Sequence, residues 1–333
     1  MQSLADLYER LNRSKADYVP LANFDRHSLE CLFACEERHP AGISVSDEDI
    51  KNAPSVDVKQ VVLLLRESAE PTFAMIAPAF VGQFPRAVTP GKLRTAFKRV
   101  GFSGMIEVSL FADILTLKEA FEFDRNILTD EDFLLTSCCC PMWIALIRKS
   151  YDRLVPHIPP SVSPMVACGR AIKQVCPGAR TVFIGPCLAK KSEAREPDIR
   201  DAVDYVLTFE ETVQMFRSID MEPEQCADDL RDHSSAAGRI YARVGGVSRA
   251  VQETVNRIHP GRRIPLRALQ ANGMRECKAV LNDVLEGKLT ANFLEGMGCP
   301  GGCVGGPRRL VPVEDGITAV NQLRRDGRLS DAH

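Results

Sequence analysis

The sequence predicts an α/β fold of two lobes with largely parallel sheets flanked by helices. Short apolar runs with the length of buried strands alternate with amphipathic helical segments from residue 56 onwards. A similar alternation restarts after Pro164, which indicates a second lobe in series with the first. The length of 333 residues is compatible with this division, because it exceeds what one minimal core requires.

The N-terminal segment, residues 1–55, is predicted to be a helical lead-in. Leucines recur at helical spacing in LADLYERLNRS, and HSLECLFACEE predicts another helix. That second helix would carry Cys31 and Cys35 on one face, where two buried cysteines are the simplest interpretation.

The first lobe is predicted to span residues 56–163. VKQVVLLL and TFAMIAP have the composition of buried strands, and GKLRTAFKRVG predicts a helix closed by Gly101. MIEVSL then predicts a strand and ADILTLKEAFEFDRNI an amphipathic helix. DFLLTS predicts a short strand that leads into three consecutive cysteines at 138–140, and MWIALIRKSY predicts the helix after them.

The second lobe is predicted to span residues 164–310. It would begin with the helix MVACGRAIKQV, followed by the strand RTVFIG, which ends at Gly185, and the strand DYVLT. Further helices are predicted for ETVQMFRSI, GVSRAVQETVNRI and GMRECKAVLNDVLEG. Residues 219–240 are polar and acidic and predict a long surface connection. Residues 311–333 are interpreted as a C-terminal tail without site chemistry.

Composition excludes several classes of function. The formal net charge of -2, from 42 basic and 44 acidic side chains, gives no general attraction to nucleic acid. No apolar stretch is long enough to insert into a membrane, and the first residues lack a signal-peptide core. We therefore expect a cytoplasmic protein, in which twelve cysteines call for an explanation other than disulfides.

Three cysteine segments follow predicted strands or glycine-rich turns: LLTSCCCPMW, IGPCLAKKSE and EGMGCPGGCVGG. Sites in open α/β sheets lie at the carboxyl ends of strands. One cysteine from each of the first two segments and two from the third would supply four thiolates. That set suits a [4Fe–4S] cluster or a zinc ion, and spacing alone leaves both open. The glycines would let the backbone pass close to a bulky group.

These segments resemble the three signature motifs of the catalytic domain of the [FeFe]-hydrogenases. TSCCCPMW is similar to T-S-C-C-P-x-W, GPCLAKKSE to M-P-C-x-A-K-K-x-E, and EGMGCPGGCVGG to E-x-M-x-C-P-G-G-C-x-x-G-G. The segment FADILTLKEAFEF also resembles the family's A-D-L-T-I-M-E-E-A-T-E-L. The resemblance covers about residues 56 to 307 and implies a minimal catalytic domain, without accessory ferredoxin-like domains. It places the H-cluster in the cleft between the lobes.

The resemblance implies a ligand set for that cofactor. Cys140, Cys187, Cys299 and Cys303 would hold its [4Fe–4S] cluster. Cys303 would also bridge to a di-iron subsite, whose other ligands in the family are CO, cyanide and an azadithiolate.

Further roles follow from the same resemblance. Cys139 matches the proton-transfer cysteine, and Glu119 and Glu122 match two glutamates of the proton path. Lys190 matches the lysine that hydrogen-bonds a cyanide ligand, and Met297 the methionine beside the di-iron site. Without the resemblance, a solvated lysine and a solvated helix face would be the ordinary interpretations of Lys190 and of the glutamate pair.

The cofactor-binding residues are expected to be Ala77, Pro78, Gly185, Pro186 and Tyr241. Gly185 departs from the family, which commonly has a methionine there, and the same change occurs in members regarded as sensory. Other departures from the family pattern are at Ala79, Met165 and Tyr241, and near Ser161, where proline replaces the serine of the proton path.

The implied reaction is the reversible oxidation of H2 to protons and electrons. The implied partners are a ferredoxin-like electron donor or acceptor, or a partner redox subunit, and the proteins that mature the H-cluster. Three alternatives remain at this point: an H2 sensor with low turnover, a non-catalytic [4Fe–4S] assembly factor of a related group, and a zinc-binding structural protein.

Overall fold

The computed structural model describes residues 46–230 and 234–330, with side chains as far as residue 322. The predicted lead-in is therefore described only from residue 46, and Cys31 and Cys35 lie outside the described residues. No helix of the described ranges is long and apolar enough to cross a membrane.

The described chain contains seven strands in two sheets. They are β1 (Thr72–Ile76), β2 (Gly104–Glu107), β3 (Leu134–Thr136), β4 (Arg180–Gly185), β5 (Tyr205–Thr208), β6 (Ala268–Asn272) and β7 (Phe293–Met297). The first sheet has the order β2-β1-β4-β5 and the second the order β3-β7-β6. Every neighbouring pair is parallel, which confirms the predicted α/β class.

Helices surround both sheets. They are α1 (Asp47–Lys51), α2 (Val56–Glu67), α3 (Pro90–Val100), α4 (Ser109–Asn126), α5 (Pro141–Ser150), α6 (Pro164–Val175), α7 (Ala189–Glu193), α8 (Phe209–Ser218), α9 (Ala236–Arg239), α10 (Gly246–Ile258), α11 (Met274–Leu285) and α12 (Val313–Ser330). Parallel strands need helical crossovers, and these cover the sheet faces. All five residues of β1 are buried as a result.

The strand prediction for VKQVVLLL is wrong, because this stretch lies in helix α2. Ser55 caps the helix by accepting a hydrogen bond from the backbone N–H of Val58, and Asp57 lies in the first turn. The buried residues recur at helical spacing, on one face: Val58, Val61, Val62 and Leu65. An apolar run of this length does not distinguish a buried strand from one face of a helix.

The predicted boundary between residues 163 and 164 does not separate the two sheets. The first sheet pairs β1 with β4, and the second pairs β3 with β7, so each contains strands from both sides of that boundary. The apolar pattern identifies buried strands but does not indicate which strands pair with each other. Strands β6 and β7 were also not predicted; Gly296 and the buried Glu295 make β7 atypical of a strand.

The predicted C-terminal tail contains helix α12, which packs against the third cysteine segment. A side chain at Gly301 would collide with Val313, and one at Gly82 would collide with Ala319. The segment after residue 310 thus supports the loop that carries Cys299 and Cys303.

Candidate metal-cluster site

The three cysteine segments follow the carboxyl ends of three strands from both sheets. The triplet 138–140 follows β3, Cys187 comes two residues after β4, and Cys299 comes two residues after β7. Parallel strands direct these ends toward the same side, as expected for a site in α/β sheets. The site is therefore built between the two sheets.

A cavity that opens to solvent lies there, with about 780 Å³ of space not filled by protein atoms, including the solvent at its opening. It is lined by the four cysteines that we name the thiol wall: Cys140, Cys187, Cys299 and Cys303. Seven other residues of the sequence-based prediction also line it: Ala77, Pro78, Cys139, Pro186, Lys190, Tyr241 and Met297. Three do not: Gly185, Glu119 and Glu122. Of the predicted departures, Met165 lines the cavity and Ala79 does not.

Glycines allow the third cysteine segment to pass close to its neighbours. Gly302 has φ 89°, and a side chain there would lie 2.7 Å from the backbone nitrogen of Val244. A side chain at Gly296 would collide with the fully buried Trp143. The Trp143 indole N–H donates to the carbonyl oxygen of Thr136 at 2.8 Å, which ties α5 to the end of β3.

The three consecutive cysteines face different surroundings. Cys139 and Cys140 line the cavity, whereas Cys138 Sγ lies 3.5 Å from the carbonyl oxygen of Val162. The backbone N–H of Gly298 donates to Cys140 Sγ at 3.3 Å. Ser137 begins this turn in the left-handed region, with φ 71°, a conformation that few residues other than glycine adopt.

Burial favours the protonated thiol at three cysteines of the thiol wall. It raises the pKa of Cys187 above its ordinary value, that of Cys299 to about 11, and that of Cys303 further. Neighbouring cysteines add to the effect on Cys299 and Cys303, because their thiolates would repel one another. Within the described residues, no three Cys, His, Asp or Glu side chains converge as ligands of one metal ion.

Lys190 is buried beside the cavity and held by two partners. Its Nζ lies 2.6 Å from Glu193 Oε2 and donates to Ser163 Oγ at 3.1 Å. Ser163 Oγ in turn donates to Glu193 Oε1 at 2.6 Å. Burial acts to lower the pKa of Lys190, but the Glu193 carboxylate outweighs it, so the net pKa lies above the ordinary value. The ammonium therefore stays charged in a pocket whose wall includes Phe183.

Glu119 is 1% exposed and accepts a hydrogen bond from Thr136 Oγ1 at 2.5 Å. Burial raises the pKa of Glu119 to about 7, and the Thr136 hydrogen bond opposes this. Glu122, one helical turn further along α4, accepts from Asn126 Nδ2 at 2.8 Å and has a 17% exposed side chain. Thr136 immediately precedes the turn that leads to Cys139.

Of the residues predicted to bind the cofactor, Tyr241 lines the cavity and Gly185 does not. The Tyr241 hydroxyl forms a 2.8 Å hydrogen bond with Thr116 Oγ1, and burial raises the pKa of Tyr241. Gly185 lies outside the lining because Phe183, on the same face of β4, fills the adjoining space. A Cβ at Gly185 would lie 2.9 Å from Phe183 Cε1 and 3.0 Å from Ala77 Cβ.

Sequence reasoning missed several residues of the site. Phe183 alternates with Gly185 along RTVFIG, so strand periodicity could have placed it on the same face. Ser163 and Glu193 hold the Lys190 ammonium. Of these two, only Glu193 lies in the motif GPCLAKKSE. Lys118 lies beside Glu122, and one turn of helical spacing could have revealed that pair.

Comparison with known proteins identifies the chain's relatives. Residues 70–307 match the family described as "Iron only hydrogenase large subunit, C-terminal domain". The periplasmic [Fe] hydrogenase large subunit of Nitratidesulfovibrio vulgaris is 26% identical over 307 residues, which cover 77% of this chain and 72% of that protein. Iron hydrogenase 1 of Clostridium pasteurianum is 27% identical over 300 residues, covering 77% of this chain but 51% of that protein.

Two other similarities complete the comparison. Cytosolic iron-sulfur assembly component 3 of Mus musculus is 24% identical over 351 residues, covering 90% of this chain and 72% of that protein. A solved variant of an [FeFe]-hydrogenase from Chlamydomonas reinhardtii has the same fold, with a TM-score of 0.64 at 22% identity over 81% of this chain and 88% of that one. The family match spans well over half of the sequence, and the chain therefore belongs to the iron-only hydrogenase large-subunit family.

Proposed function

We propose that this chain catalyses the reversible oxidation of H2 to protons and electrons at an H-cluster. In this proposal the thiol wall would hold a [4Fe–4S] cluster, and Cys303 would also be a ligand of a di-iron subsite that carries CO, cyanide and azadithiolate. One observation carries the proposal: all four thiols line the same cavity as Cys139, Lys190 and Met297.

The donor set and the space suit a cluster better than a single ion. Four thiols are the complement of a [4Fe–4S] cluster. They surround a cavity and do not converge on one point among the described residues, whereas a structural zinc site is compact and tetrahedral. The raised pKa values of Cys187 and Cys299 also call for a strong local positive charge, which a metal cluster supplies.

When bound, the cofactor would supply the metal centre at which H2 is split, and the protein would orient it and move protons. Lys190 has a fixed ammonium at the cavity wall, so it suits an anionic ligand such as cyanide. The remaining wall is largely apolar and excludes water, which strengthens the attraction between the Lys190 ammonium and an anionic ligand. It is formed by Met297, Tyr241, Ala77, Pro78 and Pro186. Gly185 contributes by leaving room for Phe183.

Protons would travel along what we name the proton route: Cys139, Glu119 and Glu122. Cys139 lines the cavity, and Glu119 has a pKa of about 7, so it can accept and release a proton near neutral pH. Glu122 lies three residues further on the same helix and has a partly exposed carboxylate that can exchange protons with solvent.

The proposed electron partner is a ferredoxin-like carrier or a partner redox subunit. The same proposal includes dependence on H-cluster maturation proteins and a cytoplasmic location, which the similarity to the cytosolic iron-sulfur assembly component of Mus musculus supports.

A second candidate function is iron–sulfur cluster assembly without H2 turnover. The assembly component of Mus musculus favours it, because its similarity extends over 90% of this chain. A sensory role with low turnover is favoured by Gly185 alone, and the retained Cys139 and Glu119 oppose it.

Turnover separates these functions. The protein, produced together with H-cluster maturation proteins, is assayed for H2 evolution with a reduced dye. We expect sustained H2 evolution, at a rate of at least about 1 s⁻¹, the lower end of ordinary enzymes. Full cofactor loading with a rate far below this would support the sensor, and absence of the di-iron subsite would support the assembly function.

A further inference from the structure

Lys118 is a buried charge that the mechanism above does not use. It lies on α4 between the cavity side and the solvent side and is 3% exposed. Lysine is almost never buried to this extent without a partner, because the ammonium loses its hydration. Its contacts should therefore explain its position.

The Lys118 ammonium joins α4 to the loop before α6. Its Nζ lies 3.5 Å from Glu122 Oε1 and donates to the carbonyl oxygen of Pro160 at 3.2 Å. Glu122 Oε2 accepts from Asn126 on the other side. The outer carboxylate of the proton route is thus held between two donors, one of them charged and buried.

Lys118 also acts on the inner carboxylate. The groups that act on the pKa of Glu119 are Thr136 at the end of β3, Glu295 on β7 and Lys118 on its own helix. Two further titratable groups are near enough for the Glu119 charge to raise their pKa values: the Cys138 thiol and the Tyr241 hydroxyl. Burial is the largest influence on the pKa of Glu119 and raises it. Thr136 lowers it, the Glu295 carboxylate raises it, and the Lys118 ammonium lowers it. Lys118 is the cation among these neighbours.

We propose that Lys118 is a positioning residue of the proton route: its buried ammonium fixes the Glu122 carboxylate against the Pro160 loop and supplies the compensating charge beside Glu119. This inference rests on the proposed function for its consequence, because the route serves the cofactor only if the cofactor is present. Its electrostatic part does not depend on turnover. Lys118 acts to lower the pKa of Glu119, which favours loss of the Glu119 proton.

The test compares Lys118→Met with Lys118→Arg, which keeps the charge. Glu119 is followed by its carboxyl infrared band during a pH titration, and Glu119→Gln identifies the band. Lys118→Met should move the Glu119 titration to higher pH, and Lys118→Arg should stay closer to the wild type. Turnover of the matured Lys118→Met protein at pH 7 should fall roughly tenfold, with recovery at higher pH, since Glu119 then releases its proton less readily.

Controls separate positioning from a purely structural role. Asn126→Ala removes the other donor to Glu122 without removing a charge, and Asn126 is exposed, so this variant should leave the Glu119 titration unchanged. If Lys118→Met does not fold, Lys118→Gln replaces it in the same titration. An unchanged Glu119 titration in a folded uncharged variant would overturn the inference. If the wild type itself shows no CO or cyanide bands and no turnover, the proposed function fails, while the titration still decides the role of Lys118.

Discussion

The Cys299 thiol of the thiol wall and the Glu119 carboxyl on α4 both have pKa values raised by burial, with different consequences. Burial moves the pKa of Cys299 to about 11, so this thiol is inert until a metal cluster stabilises its thiolate. Burial moves the pKa of Glu119 to about 7, so this carboxyl becomes able to exchange protons at neutral pH. In the proposed function, the same physical effect would suit the Cys299 thiol to metal binding and the Glu119 carboxyl to proton transfer.

The largest expected effect comes from the thiol wall. Cys303→Ala removes the proposed bridging ligand, so the di-iron subsite should be lost and turnover should fall by at least about a hundredfold. Iron content and H2 evolution measure this. Cys168→Ala is the matched control, because Cys168 is fully buried in α6 and does not line the cavity. Wild-type turnover in Cys303→Ala would contradict the ligand assignment.

The next effect separates proton transfer from metal binding. Cys139→Ala should lower turnover by about 10² to 10³-fold, because the route loses the thiol that lines the cavity, while iron content stays unchanged. Cys138→Ala is the neighbouring control, since Cys138 faces the carbonyl of Val162. Equal losses in the two variants would show that the triplet acts as a structural turn.

Glu119→Gln tests the raised pKa of Glu119 through the pH dependence of the protein's free energy of unfolding. Because the pKa of Glu119 is about 7 in the folded protein and 4.5 ordinarily, the folded state holds a proton that the unfolded state releases between these values. Wild-type stability therefore falls as pH rises through this window, and the glutamine variant escapes the loss. The stability difference between Glu119→Gln and wild type should grow by about 2 to 3 kcal/mol from pH 5 to pH 8.

Urea unfolding at the two pH values measures this difference. The wild type provides the reference at each pH, and the slope with urea should be the same for both proteins. A difference that does not change with pH would mean that Glu119 is not buried as an ionisable group.

The smallest effect concerns Gly185, which lies at the end of β4 next to Phe183. Gly185→Ala places a Cβ 2.9 Å from Phe183 Cε1 and should destabilise the protein by about 1 to 3 kcal/mol through overpacking. Adding Phe183→Leu should recover part of this loss. Gly104→Ala is the control, because its Cβ would make ordinary contact with Phe73 at 3.5 Å. Equal costs in the two glycine variants would remove the special role of Phe183.

Much of the cavity was predictable from sequence because its residues adjoin their motifs. Pro186 and Cys187 directly follow the apolar run RTVFIG, which predicts a buried strand. Cys299 lies in the glycine-rich segment EGMGCPGGCVGG, whose glycines let the backbone pass close to a bulky group. The sheet partners were not predictable in the same way. The apolar pattern of β4 shows that it is buried but not that it pairs with β1.

Glu119 illustrates a different limit. Helical spacing placed it beside Glu122, and only the family resemblance distinguished it from a solvated residue. Its hydrogen-bond donor, Thr136, is 17 residues away in sequence, and the Glu295 carboxylate that raises its pKa lies on another strand. The role of Lys118 likewise depends on a contact distant in sequence, because its ammonium donates to the carbonyl oxygen of Pro160.

The infrared spectrum of the matured protein tests the central claim most directly. CO and cyanide ligands absorb in a region where protein does not, so the spectrum reports whether the di-iron subsite occupies the cavity beside Lys190. We predict CO and cyanide bands in the wild type, a shift of the cyanide bands in Lys190→Met, and no such bands in Cys303→Ala. A matured protein that binds iron at the thiol wall but shows no CO or cyanide bands would contradict the account.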